Sequence, residues 1–129
     1  MIMSDIGLNS PSDKCEKWQY CFFIDKDDQV IDETEWIEGD IDRIRTELMA
    51  IIKVLEWGIE YGYNEKEHLY VTTTDETISK GINEYYQGWI KRGWKTKKDN
   101  KDVKNRDLWE RLIELKDLYK GNVSFEYGR

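Results

Sequence analysis

Gly88-Trp89-Ile90-Lys91-Arg92-Gly93-Trp94-Lys95-Thr96, followed after five intervening residues by Asp102-Val103-Lys104-Asn105-Arg106-Asp107-Leu108-Trp109, is the stretch on which the reading of this chain turns. From Lys91 to Lys104 seven basic residues (Lys91, Arg92, Lys95, Lys97, Lys98, Lys101, Lys104) stand against Asp99 and Asp102, a local charge of +5 within a net −7. The remainder therefore carries −12. Trp89 and Trp94 alternate with these bases, and Tyr85 precedes them by one helical turn. Basic side chains of this kind sit on phosphates while flat aromatics pack on sugars or bases. The same pattern is also met where tryptophans anchor a loop on its own helix and the lysines are solvated. The acidic remainder does not forbid the first reading, because charges beyond a Debye length of roughly 8–10 Å are screened.

Working back toward the N-terminus, Ile41, Ile44, Leu48, Ile51, Ile52, Leu55 and Ile59 recur at helical spacing, with Asp42 as N-cap and Thr46-Glu47-Leu48-Met49-Ala50 inside the helix. Trp18–Ile24 and Gln29–Ile37 read as two strands joined by a turn at Lys26, Asp27 and Asp28. His68–Thr73 reads as a buried strand, Asp75–Tyr86 and Arg106–Tyr119 as helices, and Val123–Tyr127 as a last strand. This order predicts an α/β sandwich of mixed sheet and flanking helices. With 129 residues, one proline (Pro11) and no Gly/Ser-rich linker, the chain is expected to form a single domain over 1–129. A 13% aromatic content argues against disorder, and no apolar run approaches the ~20 residues of a membrane span. Met1–Ser12 is too polar for a signal peptide, and Cys15 and Cys21 read as reduced thiols, so an intracellular, cytoplasmic protein (or one of the nucleoid or nucleus) is expected.

Taken in order, Thr46–Ala50, Thr72-Thr73-Thr74-Asp75, Gly88–Thr96 and Asp102–Trp109 resemble ribonuclease H of the cellular type. The resemblance runs from about Cys21 to Tyr127, is most specific from Gly81 to Trp109, and makes residues 83–104 the family's basic protrusion. It implies an RNase H-like mixed sheet, antiparallel hairpin strands plus parallel strands, with flanking helices. The sequence reaches Arg129 directly after its last strand, so the family's C-terminal helix and the fourth carboxylate it bears are expected to be missing. It also implies a pair of divalent cations, Mg²⁺ or Mn²⁺, held by carboxylates from separate elements. Asp5, Glu47 and Asp75 are then the catalytic and metal-binding candidates.

Glu47 matches the helix carboxylate. Asp5, followed by Gly7, Asn9 and Pro11, leaves 42 positions to Glu47, room for the hairpin, whereas its rival Asp25 leaves only 22. A strand starting at Met1 would be short and prone to fray. The third carboxylate departs from the family: Thr74 falls at that position and Asp75 is one residue late, which suits a helix-start acid with Thr74 as the cap. The polar turn ahead of Glu47 has become Ile41-Asp42-Arg43-Ile44-Arg45. Tyr85, Trp89, Lys91, Arg92, Trp94, Lys95, Lys97 and Lys98 are the nucleic-acid candidates. Trp109 is expected in the core, and His68 without a catalytic role.

The resemblance thus implies a domain related to nucleases that cleave the RNA strand of RNA–DNA hybrids, with activity weakened or lost. The alternative is the same fold, catalytically inactive, used for protein interaction, inhibition or nucleic-acid binding without cleavage. The partner is an RNA–DNA hybrid or other nucleic acid in the first case, and a protein on the acidic surface in the other. Whether a partner chain supplies the missing helix is left open by the sequence, and a membrane is not among the expected partners.

Overall fold

The computed structural model describes residues 1–61 and 67–128. Strands β1 (Ile2–Asn9), β2 (Gln19–Lys26), β3 (Gln29–Glu33) and β4 (Ile37–Glu38) come first, followed by helix α1 (Arg43–Glu60) and strand β5 (Leu69–Thr73). Helices α2 (Glu76–Lys80) and α3 (Tyr86–Lys91) are joined by a π-helical turn over Gly81–Tyr85, and α4 (Arg106–Leu118) leads to β6 (Val123–Tyr127). The strands form one sheet in the order β3-β2-β1-β5-β6, with β4 also pairing β2. β1, β2 and β3 are antiparallel, while β1–β5 and β5–β6 are parallel. This is the mixed sheet with flanking helices that the sequence leads one to expect.

β1 corrects the expectation of a short, fraying strand. It runs eight residues through the middle of the sheet, with Ile2 and Ile6 buried and the Ile2 amide donating to the His68 carbonyl at 2.9 Å. The β2–β3 hairpin closes through Asp27 (φ 53°) and Asp28 (φ 65°), the left-handed pair that matches strand twist in a two-residue turn. The single strand expected over Gln29–Ile37 is interrupted instead. Thr34 Oγ1 accepts from the Phe22 amide at 3.0 Å, so a side chain takes the place of a backbone rung.

On one face of the sheet Ile2, Ile6, Tyr20, Phe22, Ile24, Leu69, Val71 and Phe125 alternate inward against Leu48, Ile51, Val54 and Leu55 of α1. α4 lies on α1, burying Trp109, Leu112 and Leu115. Met3, Asp5 and Phe23 project from the opposite face and are exposed. The helix expected over Asp75–Tyr86 continues to Lys91 through the wider turn. That turn begins at Gly81, where an added Cβ would lie 2.5 Å from the Trp109 ring. Bare backbone there lets the indole ring approach the helix closely. No described helix is long and apolar enough to cross a membrane.

Candidate functional site

Asp42 caps α1 by accepting from the Arg45 amide at 3.1 Å, which fixes the rotation of the helix's first turns. Arg43 and Glu47, four residues apart, share the face turned to the end of β5. Glu47 is fully buried. Its Oε1 accepts from the Thr74 amide at 2.5 Å and from the Thr74 hydroxyl at 2.7 Å, while Oε2 is buried with no partner. Burial pushes the Glu47 carboxyl above its usual range, and the two Thr74 bonds, then Arg43, pull it back.

Thr74 therefore stands where the chain presents β5 to the helix carboxylate, as the spacing indicates. The cap of α2 is a correction: Asp75, not Thr74, caps it, accepting from the Thr77 amide at 2.8 Å. The other carboxylate oxygen of Asp75 takes Arg43 Nη1 at 2.9 Å, and Arg43 Nη2 reaches Thr74 Oγ1 at 3.0 Å. Asp5 is exposed on the sheet face away from α1, opposite Thr72 of β5, and has no ion pair with a described residue. Among the described residues no three acidic, histidine or cysteine side chains are grouped to hold a metal. Glu47 and Asp75 are thus brought to one corner, and Asp5 is not joined to them. Asp25, the rival, lies on the same outward face opposite Met3, with Oδ1 buried and unpartnered. His68 stacks on Tyr70 at 4.0 Å and bonds Ser124.

The basic segment begins where α3 ends. Gly93 (φ 68°) and Trp94 (φ 64°) reverse the chain. Lys95 bonds Asp102, and Thr96 accepts at its hydroxyl from the Lys101 amide at 3.1 Å, so the loop is a pinned hairpin rather than a free tail. Trp94 is only 9% exposed, under the Arg106 guanidinium at 5.4 Å, and it leaves the set of surface candidates. Trp89 is half-buried, edge-on to Trp109 at 5.1 Å. Arg92 folds back to the Lys95 carbonyl at 3.0 Å. Tyr85, Lys91, Lys97 and Lys98 remain exposed. Tyr85, Trp89, Lys97 and Lys98 line one cleft of about 550 Å³, and Thr77, two residues from Asp75, forms its near wall.

Pattern reading of the sequence missed Arg45. Its guanidinium takes both oxygens of Asp107, at 2.9 and 2.6 Å, and Asn105 Oδ1 at 3.2 Å, clasping the start of α1 to the start of α4 beside the basic hairpin. Asp107 is held down to about 2 by that guanidinium. A bidentate pair across 62 positions has no local sequence signal.

Three antiparallel strands running into a parallel pair, with a carboxylate of the first helix buried against the end of the next strand, define an RNase H-type α/β protein. The chain belongs to the RNase H family, whose model matches residues 8–128. It is 42% identical over 82 residues to ribonuclease HI of Xylella fastidiosa, a match covering 62% of this chain and 51% of that protein. Ribonuclease H of Paracoccus denitrificans is 37% identical over 87 residues, covering 66% and 52%. The matched part thus spans about half the length of these curated relatives. Among solved structures, LC11-RNase H1 in complex with an RNA/DNA hybrid superposes with a TM-score of 0.70 at 13% identity, over 99% of this chain and 85% of that one. The foamy viral protease-reverse transcriptase in complex with dsDNA gives 0.73 at 12%, over 99% and 79%.

The family generally uses divalent metal ions. The corner of this chain does not suit a pair of them. One carboxylate is already bonded by a backbone amide and a hydroxyl, a second is ion-paired with arginine, and a threonine stands between them. Hard dications want several free oxygen ligands.

Proposed function

We propose that this chain is an RNase H-fold module that grips a nucleic-acid duplex, an RNA–DNA hybrid first of all, and that cleavage by the isolated chain is weak or lost. The cleft shared by Tyr85, Trp89, Lys97 and Lys98 carries the reading. With Arg92 also in its lining it offers three exposed cations against one acid, Glu84, for one strand's phosphates and two aromatic surfaces for its sugars, and it opens beside the Glu47–Asp75 corner through Thr77. The grip is thus better kept than the cutting site. The RNA/DNA hybrid bound by LC11-RNase H1, which shares this fold, supports the choice of ligand.

Fluorescence anisotropy with a labelled hybrid tests the grip. Affinity is expected to fall steeply with salt, and Lys97→Ala and Lys98→Ala should each weaken binding and lower the log–log salt slope by about 1. The cutting site is tested with an end-labelled hybrid in Mg²⁺ and in Mn²⁺, beside Glu47→Gln. Binding without cutting is the expected result. Metal-dependent cutting abolished by Glu47→Gln would overturn the loss of catalysis. Negligible binding at every salt concentration would overturn the grip and turn attention to a protein partner for the acidic surface.

A further inference from the structure

We infer that the Arg43 guanidinium stands in for the divalent cation at the Glu47–Asp75 corner, making it a metal-free clasp between the end of β5 and the start of α1. The inference rests on reading Glu47 and Thr74 as standing at two positions of the family's catalytic carboxylate set.

The hydrogen bonds run as one chain from Asp75 through Arg43 and Thr74 to Glu47. Arg43 Nη1 donates to Asp75 Oδ2 at 2.9 Å, and Nη2 donates to Thr74 Oγ1 at 3.0 Å. The Thr74 hydroxyl in turn spends its single proton on Glu47 Oε1 at 2.7 Å, where the Thr74 amide also donates. The hydroxyl thus accepts from the arginine and donates to the glutamate, using its one proton and one of its two lone pairs. A carboxylate in place of Thr74 could not donate to Glu47; it would add a negative charge beside a buried one and require a cation between them. With threonine there, one fixed positive charge at Asp75 suffices.

Helix geometry explains why the arginine can reach. Arg43 lies one turn before Glu47, so its long side chain runs along the same face to the strand end that Glu47 holds. The guanidinium supplies donors where a dication needs acceptors, and its charge repels a second cation. What remains for a metal is Glu47 Oε2, the one buried oxygen of the corner without a partner. A single oxygen does not make a site for Mg²⁺.

Metal binding without nucleic acid tests this independently of the hybrid reading, so failure of one leaves the other standing. Free Mn²⁺ is followed by electron paramagnetic resonance, and Tm is compared in EDTA and in millimolar Mg²⁺. The natural chain is expected to leave the Mn²⁺ signal undiminished and to melt at the same temperature in both. The double variant Arg43→Gln/Thr74→Asp is expected to take up Mn²⁺ and to melt higher in Mg²⁺ than in EDTA. Stoichiometric Mn²⁺ uptake by the natural chain, lost in Glu47→Gln, would overturn the inference, as would a folded double variant that takes up none. Should the double variant fail to fold, Arg43→Gln alone decides. Its lowered Tm should be partly restored by Mg²⁺, and an equal Tm in Mg²⁺ and EDTA would refute the exchange of guanidinium for metal.

Discussion

Thr74 shows how one side chain decides what a corner can do. Its hydroxyl is both a donor to buried Glu47 and an acceptor from Arg43, so Thr74→Val strips two bonds from two charged groups. Leaving a buried group unsatisfied costs about 1–3 kcal/mol, and a stability loss in that range is expected in urea unfolding. The second residue-scale expectation concerns Arg45 and Asp107. The Asp107 carboxyl is held at about 2, below its ordinary range near 3.8. A depressed carboxyl contributes stability that is complete above the unfolded value and lost as pH falls through the folded one. Asp107→Asn should therefore be less stable than the parent at pH 7, and most of the difference should be lost by about pH 2, the rest below it. Denaturation midpoints measured at pH 7, 4 and 2 check this. The pair is exposed, so the effect is modest.

At the scale of elements, the α2–α3 helix is the most sharply constrained. Gly81 opens its π turn and lies against Trp109. Gly81→Ala places a methyl 2.5 Å from that ring, and overpacking of this kind costs about 1–3 kcal/mol. Circular dichroism and urea unfolding should show a folded but weakened protein, with Trp109 fluorescence shifted. Element types were legible in the sequence because the apolar spacing of α1 and α4 and the aromatic, β-branched runs of β2 and β5 are strong local signals. Glu47, the Thr74 departure and the basic run were legible for the same reason: each sits in a motif of contiguous residues. What was not legible depended on distance. Thr34 interrupts its strand through a bond to Phe22, and Arg45 finds its partners on α4. Trp94, which alternates with the bases as Trp89 does, reads as a surface aromatic or as a loop anchor. A left-handed backbone there turns the ring inward.

At the scale of the whole molecule, the sheet places β1 between β2 and β5, and the +5 segment Lys91–Lys104 belongs to a chain whose remainder carries −12. The Ile2–Asp5 stretch is paired on both sides, antiparallel with Lys26–Phe23 and parallel with Leu69–Thr72. Its amides should therefore exchange with solvent among the slowest in the chain, later than those of β3 at the sheet edge. Hydrogen–deuterium exchange read residue by residue checks this, and rapid exchange over Ile2–Asp5 would contradict the central placement of β1. The same arrangement sets an order of events during synthesis. Ser4 and Tyr70, bonded neighbours in the sheet, are 66 positions apart. While the chain leaves the ribosome, β1, β2, β3 and α1 have all emerged before the strand that closes β1's free side. For that interval the future centre of the sheet is its open edge, and edges of this kind recruit other strands. The nascent chain is thus most exposed to wrong pairing just before β5 emerges.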